Sequence, residues 1–307
     1  ALGSYNTSQG LHSTTLGRGN TAIGTNSIAG GLSSSATETD SIAIGNENTA
    51  SGVRSTSLGG TGNIASGTGA TTLGGAGNIA SGLSSSTLGY GTHSIGNSTL
   101  TFGDNTSAIG ECSIASGKKT KATADYSVTF GQHTSADNKA ELAYSAGLLF
   151  DSDGDNGRPG QVSRVIMSGV LATASQKVVL TVGDSGVGFK PLPGTVGMAQ
   201  IDVIVTNLDG TYYESFKCSN VYKCGPGGVI TIRGGGGYYD TPYGNSTSNT
   251  SNISSLYSGT PSASFSAFIL ADSSTRLEFQ LHKNGAVLPI GSRALGEAKF
   301  IQLGFVS

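Results

Sequence analysis

The chain has 307 residues, of which 49 are glycine and only 12% are charged, and its formal net charge is −2. Acids and bases so nearly balanced exclude a broad electrostatic attraction for nucleic acid or anionic membrane, and no apolar run approaches the ~18 residues of a membrane-spanning helix. Glycine at more than twice its ordinary share of about 7%, with enough Val, Ile and Leu to build a core, points to a glycine-dense β protein rather than a disordered one.

The first residue, Ala1, already lies inside a repeat, so the chain reads as a processed piece or the end of something longer. From there a glycine closes short phrases at Gly3, Gly17, Gly24, Gly45, Gly52 and Gly59, and again at Gly74, Gly89, Gly96, Gly103, Gly110, Gly117 and Gly131. The step is seven or a multiple of it, except between Gly59 and Gly89. There two steps of eight end at Gly67 and Gly82. Glu38 and Ala124 occupy slots where the pattern expects glycine, and Gly30 and Gly31 double up at another. A heptad coiled coil fails, because each glycine would cost about 1 kcal/mol in a helix. Collagen fails because it needs glycine at every third position.

Just before many of these glycines stands one large apolar residue: Leu2, Leu16, Ile23, Ile44, Leu58, Leu73, Leu88, Ile95, Phe102, Ile109 and Phe130. Strand side chains alternate between faces, so the expectation is that these residues point inward and that glycine permits the tight turn after them. Two such half-turns make a coil of about fourteen residues, and about nine coils stacked ~4.8 Å apart make a rod roughly 43 Å long. A coil this thin buries little surface by itself. Stacking supplies part of the missing burial, and association of three chains side by side would supply more.

The phrases SIAIGNENTASG (41–52), STSLG (55–59) and NSTLTFGDNTSAIG (97–110) resemble the YadA-type head repeat of trimeric autotransporter adhesins, a repeat that also occurs in bacteriophage tail fibres. The resemblance covers roughly residues 1–147 and implies a left-handed β-roll with three chains side by side. Beyond it, Gly131, Gln132, His133, the run Ala143 to Gly147, and Gln161 resemble the segment that joins roll to terminal domain in phage fibres.

From about residue 160 the pattern changes to runs of alternating apolar and polar residues between Gly, Pro, Asp and Asn turns. Eight are visible: VSRVIMSGV, QKVVLTVG, MAQIDVIVTNL, TYYESFKCS, GVITIR, SFSAFILA, TRLEFQLHK and EAKFIQLGFV. Eight strands with no helical periodicity predict an antiparallel β-sandwich, jelly-roll-like in layout. The organisation expected is therefore all-β: a roll over 1–147, a connector over 148–160, and a tip over 161–307.

Within the tip, residues 234–262 are poor in aliphatics and rich in Tyr, Ser, Asn and Gly. Rigid amphipathic tyrosines beside adaptable amides suit a recognition surface, with Tyr238, Tyr239, Asp240, Tyr243, Asn245 and Tyr257 as candidate ligand-binding residues. A plain surface loop is the competing reading. In the connector, Asp151, Asp153 and Asp155 stand at the spacing of calcium-loop ligands. The twelfth position is Val162, so no full EF-hand is present, and a solvated connector competes with an ion site. Lys118, Lys119 and Lys121 form a small cationic run that reads as a solvated turn or as an attraction for phosphate. Of the three cysteines, Cys218 and Cys224 are read either as two reduced thiols or as a pair across a hairpin.

No Gly-x-Ser-x-Gly or triad signature appears, and the few acids of the first half mark no cleft for a carboxylate pair. The functional expectation is non-enzymatic host-surface adhesion by a homotrimeric phage tail fibre on the virion. Its partners would be two identical chains, a host glycan or outer-membrane protein, and an upstream fibre or baseplate protein. A polysaccharide-degrading tailspike and a bacterial autotransporter passenger on the cell surface are the alternatives.

Overall fold

The computed structural model describes residues 1–149, 158–170, 177–182, 187–206, 213–233, 256–257, 265–272, 276–283 and 293–304. The protein is all-β and divides into two compact units, Ala1–Asp137 and Asn138–Ser307.

The first unit belongs to a solenoid of about ten turns. Longer strands such as Thr14–Arg18, Ile28–Leu32 and Ile42–Asn46 alternate with two-residue strands such as Thr21–Ala22 and Ser35–Ala36. Each strand pairs in parallel with the next of its own kind: Ile28 lies beside Ile42, and Ser35 beside Thr49. The short strands alone form a ten-stranded sheet. The steps of eight become a local irregularity. Ile44 pairs with Leu58 but Asn46 pairs with Thr61, so one extra residue is absorbed at Gly59 and Gly60.

Glycine acts in two ways here. Gly31, at φ +96°, takes a backbone conformation that side chains rarely adopt, and a Cβ on it would stand 2.0 Å from the Gly45 carbonyl oxygen. Gly24 has no such φ, yet its Cβ would stand 1.9 Å from the Glu38 carbonyl oxygen of the next coil. Turn geometry explains the first and close stacking the second. The left-handed position of each turn falls two residues later, and there side chains are tolerated: Asn26, Ser33, Asp40, Glu47 and Arg54 all have φ between 55° and 57°. Among the described residues every non-glycine in this conformation is unbranched at Cβ, as steric crowding demands.

The second unit is an antiparallel sheet region. Leu142–Leu149 pairs with Arg158–Val170, which pairs along its length with Arg293–Gly304. Thr195–Thr206 follows, then Tyr213–Cys224 and the short Ile230–Arg233. Lys177–Val182, Arg276–Lys283 and Phe265–Asp272 pair with one another, and Met167 beside Val182 links the two groups. The eight runs of the sequence analysis all coincide with strands, several of them longer than expected. Leu142–Leu149 and Leu256–Tyr257 are additional. One apolar cluster gathers Val165, Met167, Leu180, Ile201, Tyr222, Leu277 and Phe300. Phe189 stacks on Phe300 with ring centroids 3.5 Å apart.

Polar groups inside this unit are tied together. Gln161 and Gln302, opposite one another on paired strands, both donate to the Ser163 hydroxyl, at 2.8 and 3.1 Å. Gln302 also accepts from the Leu192 amide at 2.8 Å. The Asn138 side chain clamps the Lys190 backbone from both sides, accepting at 2.7 Å and donating at 3.1 Å, while the Glu141 carboxylate accepts from the Asn138 amide and side chain.

Cys218 and Cys224 lie on one continuous strand, beside Ile201 and Thr195. Six residues of extended chain span roughly 20 Å, far beyond the ~7 Å Cα limit of a disulfide. The pairing across a hairpin is therefore excluded, and Cys224 is a free buried thiol. Burial pushes the Cys224 pKa up, with Lys190 opposing. Alkylation under native conditions, mapped by mass spectrometry, is expected to modify the exposed Cys112 well before Cys224.

Tyr222 is buried with a hydroxyl that has no hydrogen-bond partner. A Cβ at Gly197 would meet its ring at 2.5 Å, so that glycine makes the room the ring occupies. Burial, then the neighbouring Cys224 and Glu141, push the phenol pKa far above its ordinary value. Because the folded pKa is raised, stability from this group is complete below the unfolded value near 10 and declines as pH rises above it. Tyr222→Phe removes an unpaired buried hydroxyl and is expected to stabilise the fold by about 1 kcal/mol. It should also reduce the loss of stability above pH ~10. Thermal melts of both proteins across alkaline pH check this, and destabilisation by the phenylalanine contradicts it.

Candidate functional site: the outward face of the roll

The interior of each coil is small. Ala22, Ala29, Ala36, Ala43, Ala50, Ala65, Ala80, Ala108, Ala115, Ala122 and Ala136 are fully buried, joined by Thr15, Ser57, Thr72, Thr87, Thr101 and Thr129. The large apolar residues point the other way. From Leu58 at 36% to Leu2 at 69%, all eleven of those preceding the glycines are exposed on the single chain. The expectation that they fill the coil is thus overturned. In Ile42–Asn46 the alternation puts Ala43 inside and Ile44 outside, because the coil has room for a methyl group and not for a branched chain.

Register then aligns these outward residues. Leu2, Leu16, Gly30, Ile44, Leu58 and Leu73 follow one another from coil to coil, as do Leu88, Phe102, Ser116 and Phe130. A second column runs beside them, on the far side of the buried residue: Ile28 beside Ile42, then Leu100, Ile114 and Val128. The outcome is an apolar face along the long strands. Monomeric soluble proteins rarely leave such contiguous apolar surface open.

A buried asparagine ladder holds the coils beneath this face. In the Gly-x-x-Asn phrases, Asn48 donates to the Ile44 and Gly59 carbonyls at 2.9 and 2.7 Å and accepts from the Asn63 amide at 3.0 Å. Asn63 in turn donates to Gly59 and Gly75 and accepts from the Asn78 amide. Asn6 and Asn20 repeat the arrangement near the start. Each side chain therefore bonds its own turn and the next coil. The sequence signal was an asparagine three residues after alternate glycines, which the glycine count alone does not bring out.

Tyr238, Tyr239, Asp240, Tyr243 and Asn245 lie outside the described residues, as do Asp151, Asp153 and Asp155. Tyr257 sits on a two-residue strand opposite Glu214. Lys118 ends a strand between Asp104 and Gln132, Lys119 occupies a left-handed turn position, and Lys121 lies on a short strand. His133 takes the left-handed position of its own turn. Among the described residues no three His, Cys, Asp or Glu side chains group to hold a metal ion.

Residues 36–61 and 113–134 match the YadA head domain repeat. The chain thus carries YadA head repeats in a β-solenoid. No curated protein matches the chain. Among solved structures it is distantly similar to the tailspike protein of Acinetobacter baumannii phage AM24, at 10% identity and a TM-score of 0.25. That similarity covers 98% of this chain and 54% of the tailspike chain, so this chain spans about half of the tailspike.

Replacing Asn63 by alanine takes one of two donors from each of the Gly59 and Gly75 carbonyls, which keep Asn48 and the Thr61 amide, and strands the buried Asn78 amide. The expected cost is about 1–3 kcal/mol in chemical denaturation, against little change for Ser33→Asn, which keeps an unbranched side chain at that exposed left-handed turn position.

Proposed function

We propose that the protein is a non-enzymatic, homotrimeric adhesin of the phage tail-fibre type, whose roll carries a tip that binds a host-surface glycan or outer-membrane protein. The observation that carries this reading is the outward apolar face. A solenoid with an interior of alanine, serine and threonine, and leucine, isoleucine and phenylalanine outside, leaves its largest apolar surface for other chains. Two identical copies are the simplest cover, because each brings the same columns at the same spacing. The YadA repeat supports an adhesive role, and it favours a left-handed roll with three chains side by side.

In this reading the second unit is a β-sandwich of jelly-roll-like layout that displays the binding surface, and an upstream fibre or baseplate protein holds the assembly on the virion. Three tips on one rod raise effective concentration, so weak sites give strong attachment, with avidity gains of about 10²–10⁴.

Light scattering on the intact chain is expected to give three times the chain mass. The double substitution Leu58→Asp and Phe102→Asp is expected to dissociate or aggregate the assembly, and with it surface attachment, while the buried alanine columns stay untouched. A stable, well-folded monomer with unchanged attachment contradicts the proposal. So does release of oligosaccharide fragments from a bound polysaccharide, which would make the chain an enzyme.

A further inference from the structure

In the second unit Phe189 and Leu277 form an antiparallel bridge, both buried and exchanging both backbone hydrogen bonds at 2.9 and 2.7 Å. One step along, the same register sets Lys190 opposite Arg276. Side chains directly opposite across an antiparallel pair share a face and lie within a few ångströms, and like charges there are destabilising. Among the described residues neither cation has a carboxylate partner. On the other side of Arg276, Asp272 holds the opposite register position of the hairpin. Even with that acid counted, one net positive charge remains.

These two cations line a groove of about 440 Å³, together with Pro191, Pro193, Pro226 and Gly227. The wall is pre-formed. The Pro226 turn is pinned by Gly228 N–H donating to Gly225 O at 2.9 Å and by Gly194 N–H donating to the same oxygen at 3.1 Å. The Arg276 guanidinium donates to Gly188 O at 3.0 Å, which fixes its plane, and the side chain lines the groove. Prolines contribute flat C–H surface and no backbone donor. Charged donors therefore come from Lys190 and Arg276, which line the same groove as the apolar proline wall.

We infer that this groove binds an anionic sugar unit, its carboxylate or phosphate between Lys190 and Arg276 and its C–H face against the prolines. An anion there relieves the repulsion between the cations and gains charge-assisted hydrogen bonds from both. This inference rests on the adhesin reading and names the ligand class for it.

The test titrates the intact chain with galacturonate, galactose 6-phosphate, galactose and succinate, following the backbone amides of Gly227 and Gly228 by NMR. At least one anionic sugar is expected to shift both signals, and comparison of the two separates carboxylate from phosphate. Galactose and succinate are expected to shift them at least tenfold more weakly. Lys190→Gln and Arg276→Gln should each weaken binding by about tenfold. Gly227 lines the groove and a Cβ on it meets nothing within 4 Å, so Gly227→Phe adds a bulky ring to the groove wall without a clash at Cβ. It should abolish the shift at Gly228 with both cations intact. No shift with either anionic sugar, equal shifts with galactose or succinate, or undiminished binding in the phenylalanine variant overturns the inference. If it is overturned while the trimer still attaches to surfaces, the adhesin reading stands; loss of attachment by the native trimer removes that reading itself.

Discussion

The width of the coil governs the first unit. Two short strands joined by tight turns leave an interior that takes methyl groups, hydroxyls and an asparagine amide, and nothing larger. Leucine, isoleucine and phenylalanine at neighbouring strand positions are thereby forced outward. A solenoid of this kind cannot close its own hydrophobic core. Stacking gives it hydrogen bonds and order along its length, while its large side chains stay outside the coil.

Hydrogen bonding compensates for some of the missing core. The asparagine ladder ties coil to coil: Asn48 and Asn63 each satisfy carbonyls on two successive coils and accept an amide from the next. Where asparagine gives way to Ser34, the hydroxyl keeps one of these bonds, to the Gly45 carbonyl. The second unit is organised the other way, with an apolar cluster of ordinary size and a few polar groups tied within it. Among its described residues the buried side-chain group without a hydrogen-bond partner is the Tyr222 hydroxyl, which lies in that cluster.

The solenoid was legible because a glycine every seven residues has one economical meaning, and the strands of the second unit because alternation and turn residues agree. The direction of the roll's side chains was not. In SIAIG, period-two alternation allows either Ala43 or the flanking isoleucines to face inward, and hydrophobicity favours the isoleucines. Volume decides for alanine, and the volume is set by a coil width that no single strand encodes. Leu256–Tyr257 was missed because two residues carry no periodicity. The juxtaposition of Lys190 with Arg276 depends on a bridge between residues far apart in the chain, which composition and spacing do not reveal.

Hydroxyl-radical footprinting of the native protein tests the central claim most directly. Phe102 and Phe130 are 38% and 44% exposed on the single chain, close to the 49% of Tyr126 at a turn. If other chains cover the outward face, both phenylalanines oxidise far more slowly than Tyr126, and their rates rise once the assembly is dissociated. Oxidation of Phe102 and Phe130 in the native protein at the rate of Tyr126 would mean that the face is bare.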